Sequence, residues 1–165
     1  MSHATEFPSE WVVRWAPQVK RSPVLDLACG NGRHARFFKE RGFDVLAVDR
    51  QPAELPGITF LEKDLEDGSP WPLEGYSFGA IVVTNYLHRP LFPRLAESLA
   101  PGGVLIYETF MLGNERFGKP SNPAFLLRPG ELRDAFAALE ILAFEEGEVS
   151  QPKPAMTQRI CAIRR

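Results

Sequence analysis

Cysteine is scarce. The 165 residues hold only Cys29 and Cys161, far apart and in neither a C-x-x-C pair nor a Cys/His cluster, which argues against a disulfide framework and against a thiolate zinc site. Long apolar runs are missing as well: no window approaches the roughly 18 uninterrupted apolar residues of a membrane span. The first residues also lack the basic-then-apolar layout of a signal peptide. Two reduced thiols and a cytoplasmic setting are the expectation. An excess of one charge is missing too, because 19 Lys and Arg face 21 Asp and Glu for a net charge of -2. With no basic block, nucleic acid is not the expected partner. No internal repeat or low-complexity tract occurs.

What is present suits one ordinary domain over residues 1–165, 44% hydrophobic and 24% charged. A chain of this size hides roughly 70% of its unfolded surface, enough for a core without staples. Residues 10–19 form an amphipathic stretch with Ser9 as N-cap and Trp11, Val12 and Trp15 at helical spacing, limited by Pro17. Residues 23–28 read as a buried strand that breaks into a glycine turn, followed by a helix over 33–41 with Gly42 at its C-cap. Further strands are predicted at 43–48, 58–62, 78–84 and 104–109, with a helix at 91–99. Residues 110–128 carry too many turn formers for apolar periodicity and read as a long substrate-side loop. A helix at 129–139 and strands at 141–144 and 159–163 complete the pattern. Strands alternating with helices predict a doubly wound, mostly parallel α/β sheet covered on both faces, with an antiparallel last strand.

Open parallel sheets bind ligands at the carboxyl ends of their strands. There the sequence places Gly30 and Gly32 after the first strand, Asp49 after the second and Asp64 after the third. The glycines permit a tight turn and close ligand approach. Asp49 is placed to accept from a ribose hydroxyl pair, and Asp64 suits an adenine amine. The same Gly30-x-Gly32-x-x-Ala35 run also satisfies a dinucleotide fingerprint, so an NAD(P)-binding oxidoreductase is a second reading. Asp26, inside the first strand, tilts the balance: a cationic amino group can use its carboxylate, whereas a pyrophosphate is repelled.

Residues 24–32, Val-Leu-Asp-Leu-Ala-Cys-Gly-Asn-Gly, resemble the first motif of the class I S-adenosylmethionine-dependent methyltransferases, with Ala28 in place of the usual first glycine. The resemblance extends to Asp49 as ribose-binding acid, Asp64 as adenine-contacting acid, Thr84-Asn85 as the start of the fourth motif, and the Pro101-Gly102-Gly103 turn. Residues 118–123 and 126–132 are similar to segments of small bacterial tellurite-resistance methyltransferases. The resemblance implies a Rossmann-like methyltransferase fold and S-adenosylmethionine as cofactor, leaving S-adenosylhomocysteine as product. It implies cofactor contacts from Asp26, Ala28, Cys29, Gly30, Asn31, Gly32, Asp49, Arg50, Asp64, Leu65, Thr84 and Asn85. The third reading is a binding module without an acceptor pocket.

On the acceptor side the candidates are Asn85, Tyr86 and His88 after the fourth strand, Tyr107 and Glu108 on the fifth, and Arg116 and Lys119 in the loop. His88 reads as a base or as a surface histidine. The cations read as partners of an anionic acceptor or as solvated charges. Trp11 and Trp15 read as core or, within residues 1–22, as a lid over the cofactor. Asn85-Tyr86-Leu87-His88 departs from the Asn/Asp-Pro-Pro-Tyr motif of adenine and glutamine methylation, and the charge favours a small-molecule acceptor. No metal site is expected, and nothing in the sequence speaks to oligomeric state.

Overall fold

The computed structural model describes residues 7–165; the part of the expected lid that falls on residues 1–6 lies outside them. Seven strands form one sheet: β1 (Val24–Leu27), β2 (Val45–Asp49), β3 (Thr59–Glu62), β4 (Phe78–Thr84), β5 (Leu99–Phe110), β6 (Glu140–Val149) and β7 (Ala155–Ile163). Their order is β3-β2-β1-β4-β5-β7-β6. The first five run parallel, and β7 lies antiparallel between β5 and β6. The mixed α/β sheet is therefore as the sequence predicts.

Burial explains the strand sequences. All four residues of β1 are buried, because helices cover both faces of a parallel sheet and leave no polar side to alternate with. Leu25 and Leu27 face one core with Ile81, Val83 and Leu105, closed by Phe92 and Leu95 of α3 (Phe92–Glu97) and Leu132 of α4 (Glu131–Ala135). Val24, Ala80, Val82 and Ile106 face the other core. It is closed by Trp11 and Val12 of α1 (Glu10–Trp15) and by Ala35 and Phe38 of α2 (Arg33–Glu40). Asp26, Thr84 and Glu108 fall on this second face by alternation.

Several elements differ in extent from the sequence reading. Ser9 caps α1, but α-geometry stops at Trp15 and a 3₁₀ turn carries Ala16–Gln18, since Pro17 cannot donate in a longer helix. The helix expected at 91–99 is shorter, because Leu99 already pairs with Phe78 in β5. The last two strands are longer than their apolar segments. β6 is an outer strand whose Glu145, Glu146 and Glu148 carry no core-facing pattern, so pairing rather than hydrophobicity defines its end. No helix lies between β2 and β3 or between β3 and β4, which leaves β3 a partly exposed edge.

Candidate active site

The strand ends build a cleft from backbone requirements upward. After β1 the chain turns through Ala28 (φ 56°), Gly30 (φ 57°) and Gly32 (φ 84°), all in the left-handed region. Ala28 tolerates that region at a cost of about 1–2 kcal/mol, and it stands where the resembled family carries glycine. A side chain on Gly32 would run into the Leu55 Cδ2 methyl, whereas one on Gly30 would meet nothing within 4 Å. At Gly32 the end of the Leu55 side chain would have to shift, in addition to the strain of the left-handed backbone. Gly30 opens onto free space that a Cβ would occupy. Its N–H donates to Asp49 Oδ2 at 2.8 Å, while the Gln51 N–H donates to Asp49 Oδ1 at 3.0 Å. Asn85, at the end of β4, is the other non-glycine residue in the left-handed region, at φ 56° among the described residues. Its N–H donates to the Glu108 carbonyl at 2.9 Å. Strained residues thus close two adjacent strands at the same cleft.

The cleft holds about 500 Å³, lined on one side by Ala28, Asp49, Arg50, Asp64 and Leu65, and on the other by Asn85, Tyr86 and Thr109. Phe110, Pro120 and Phe125 wall it from the 110–128 segment. The size falls within the usual range for small-molecule sites, roughly 300–1,000 Å³. The segment is irregular, as expected, with short 3₁₀ turns at Asn114–Arg116 and Pro123–Phe125. It is nevertheless pinned: buried Asn114 donates to the Pro120 carbonyl at 2.9 Å and accepts from the Met156 N–H at 3.0 Å. Arg89 donates to both Glu131 oxygens at 2.5 and 2.9 Å and to the carbonyls of Leu126 and Ala124 at 2.9 and 3.3 Å. Burial raises the Glu131 carboxyl, but Arg89 and the Arg128 N–H outweigh it and hold the group below its ordinary value. Asn114, Arg89 and Glu131 escaped the sequence reading; they bear on the cleft only by folding its wall.

Of the expected cofactor residues, Asp26, Cys29, Gly30, Asn31, Gly32 and Thr84 stand beside the cleft rather than in its wall. Asp26 is 2% exposed and accepts from the Ala35 N–H at 2.9 Å at the start of α2. Burial pushes its carboxyl up to about 7, which the Ala35 N–H only partly offsets. The hydrogen-bond network expected for it is therefore partly internal. Burial also pushes the Cys29 thiol up to about 12, so it packs and does not attack.

On the acceptor side, Asn85 and Tyr86 reach the cleft while His88 and Arg116 do not. His88 turns into a neighbouring depression with Trp71, its Nδ1 3.6 Å from Glu66, directly before the 3₁₀ turn Arg89–Leu91. Arg116 is exposed, lies over the Phe117 ring and points 4.0 Å from Glu148. Lys119 is exposed as well. Tyr107 is buried and donates to the Tyr86 carbonyl at 2.8 Å. Glu108 accepts from the Ser9 hydroxyl at 2.6 Å and faces Arg159 Nε at 3.4 Å. Trp11 is core: it is fully buried and donates to the Ile160 carbonyl at 3.1 Å. His34 Nε2 accepts from the Ser9 N–H at 2.9 Å, and burial with Arg33 beside it pushes the imidazole down to about 3. No helix of the described residues is long and apolar enough to cross a membrane.

Comparison with known proteins agrees with this geometry. Residues 2–119 match the family model of a methyltransferase domain. A trans-aconitate 2-methyltransferase of Methylobacterium nodulans is 33% identical over 109 residues, covering 59% of this chain and 42% of the relative. One from Rhizobium leguminosarum is 30% identical over 147 residues, 81% of this chain and 56% of the relative. The chain thus spans about half the length of these relatives. Among solved structures, TehB from Haemophilus influenzae superposes with a TM-score of 0.76 at 18% identity, covering 96% of this chain and 63% of that one. The glycopeptide N-methyltransferase MtfA, complexed with sinefungin, superposes with a TM-score of 0.63 at 17% identity over 99% and 95% of the two chains. These likenesses are of fold.

Proposed function

Because the chain belongs to the methyltransferase domain family, we propose that it moves a methyl group from S-adenosylmethionine to a small-molecule acceptor. The observation that carries this reading is the Gly30–Asp49 pairing at the mouth of an open, Cβ-free cradle. Each Asp49 oxygen holds one backbone N–H, and a carboxylate offers about four acceptor sites. Two remain for a ribose hydroxyl pair. Asp64 Oδ1 is already engaged by the Glu66 N–H at 2.9 Å, which fixes the carboxylate for an adenine amine. Asp26, Cys29, Asn31, Gly32 and Thr84 shape the turn behind, and Arg50 and Leu65 flank the nucleoside end.

When bound, the cofactor supplies an electrophilic sulfonium methyl group. The protein's part is to bind, orient and exclude water. Holding the reactants in line contributes up to roughly 7–11 kcal/mol, so Asn85 and Tyr86 act as positioning groups on the acceptor side and His88 is not required as a base. Segment 110–128 covers that side. Nucleic acid is not proposed as a partner, and the two buried free thiols suit a reducing, cytoplasmic setting.

The test is calorimetric titration with S-adenosylhomocysteine against NAD. Saturable binding of the former alone supports the reading. Binding of NAD alone overturns it in favour of an oxidoreductase.

A further inference from the structure

The sheet carries a second recess at the end opposite the cofactor cleft. Val24, Ala80, Val104, Ile163 and Glu140 stand in register in one row across β1, β4, β5, β7 and β6, at the level where β1 begins, whereas the cleft lies where β1 ends. At this lower end Trp15 of α1, Leu142 of β6 and Ile163 of β7 floor a depression of about 550 Å³. Its rim is cationic: Lys20, Arg21 and Arg165 line it, and no carboxylate side chain does. Arg165 is paired with Glu140 outside the lining. Lys20 Nζ donates to the Pro17 carbonyl at 2.8 Å, and among the described residues neither Lys20 nor Arg21 has a carboxylate partner.

The backbone under these cations is fixed. A Cβ on Gly79 would run into the Arg21 carbonyl, the Gly79 N–H donates to the Pro23 carbonyl at 2.9 Å, and the Ser22 hydroxyl accepts from the Asp44 N–H at 3.0 Å. On the other side Arg164 donates to the carbonyls of Glu97 and Leu99 and exchanges backbone bonds with Gly102 and Gly103, which holds Arg165 at the rim. A ligand would therefore order side chains and not chain, which keeps the entropic cost of binding low. Solvated surface cations are ordinary, but these ring an apolar floor. A bare inorganic anion would use the charges and leave Trp15, Leu142 and Ile163 in water; a neutral hydrocarbon would do the reverse. Only a molecule with both parts uses charge-assisted hydrogen bonds and apolar burial together.

We propose that this depression is a second binding site, separate from the cofactor cleft, for a small organic anion with a flat apolar body, such as an aromatic carboxylate or sulfonate. The acid group lies between Lys20 and Arg21, and the body covers Trp15, Leu142 and Ile163. The site does not depend on the methyl-transfer reading, because none of its residues lines the cleft.

The experiment titrates naphthalene-2-sulfonate into the full chain, with and without excess S-adenosylhomocysteine, and follows the indole N–H resonances of Trp11, Trp15 and Trp71 by NMR. The Trp15 N–H is buried without a protein acceptor, so its resonance reports a ring stacked nearby and not the breaking of an internal bond. It should shift saturably, the Trp71 resonance should stay in place, and S-adenosylhomocysteine should not displace the probe. The sulfonate should bind at least about tenfold more tightly than naphthalene-2-methanol, its uncharged analogue, and than inorganic phosphate. Lys20→Gln and Arg21→Gln should each weaken it about fivefold. Gln18→Glu, which adds a carboxylate to the lining at equal size, should weaken it about tenfold. All three positions are exposed, so melting temperatures and S-adenosylhomocysteine affinity should match the wild type. No binding, a response at Trp71 in place of Trp15, displacement by S-adenosylhomocysteine, equal affinity for the alcohol or for phosphate, or affinity unchanged in the three variants overturns the proposal.

Discussion

The Gly30 N–H lies 2.8 Å from Asp49 Oδ2, so the acid that ends β2 is locked beneath the glycine turn that ends β1. One bond joins the two strand closures, and the geometry of each depends on the other. Two glycines two residues apart therefore answer to different demands.

Gly30→Ala and Gly32→Ala should separate binding from folding. Gly30→Ala places its methyl in open space, so only the left-handed strain of about 1 kcal/mol is expected in stability, together with a large loss of S-adenosylhomocysteine affinity. Gly32→Ala adds a clash with Leu55 and should cost about 2–3 kcal/mol. Thermal melts beside calorimetric titrations distinguish the two, and equal melting temperatures would sink the distinction.

Asp26 governs a pH dependence whose sign is opposite to that of a salt-bridged carboxylate. Its folded-state pKa is about 7 against 3.8 for the free group, so between those values the native state binds a proton that the unfolded state has lost. Stability from this residue is present below about pH 4, declines as pH rises, and levels off above about pH 7. Asp26→Asn should flatten that slope and raise the melting temperature at pH 8, a gain of a few kcal/mol at most. It should also weaken binding of the cofactor's amino-acid end. Denaturant titrations from pH 4 to pH 8 on both proteins measure the first effect, and S-adenosylhomocysteine titration the second.

Arg89→Ala should loosen the acceptor-side wall. It strips the partly buried Glu131 of its bidentate partner and frees the carbonyls of Ala124 and Leu126. Breaking such a pair in the interior costs about 3–5 kcal/mol, and partial exposure of Arg89 lowers the expectation to about 2 kcal/mol. Limited proteolysis should then cut within residues 117–125 sooner than in the wild type, with S-adenosylhomocysteine affinity little changed.

Trp11→Ala tests whether α1 is core. Removing a fully buried indole and its bond to the Ile160 carbonyl should lower stability by about 3–5 kcal/mol, whether or not S-adenosylhomocysteine is bound. A change confined to cofactor affinity would instead mark the helix as a lid.

The sheet was legible because buried parallel strands such as residues 24–27 are continuous apolar runs that end in turn formers. The nucleoside side was legible for a related reason: Asp49 and Asp64 close strands whose ends the topology brings together. The acceptor side was less so. His88 follows Asn85-Tyr86 in sequence, yet just before the turn Arg89–Leu91 it lines another depression, and no periodicity signals that. Arg116 read as an available cation because its partner Glu148 lies on β6, 32 residues onward, beyond any local pattern. Asn114 and Glu131 hold the wall through long-range bonds, Asn114 from the Met156 N–H and Glu131 from Arg89, and their single letters are indistinguishable from those of ordinary loop residues.

The position of β7 between β5 and β6 has a consequence for how the chain is made. β5 ends at Phe110 and its antiparallel neighbour begins at Ala155, so while residues 111–154 are added on the ribosome, β5 has an unpaired and strongly apolar edge. Such an edge is a template for mispairing with another chain. During synthesis, then, the vulnerable surface of this protein is an edge that the finished sheet hides in its interior, covered only once residues 155–163 pair with β5.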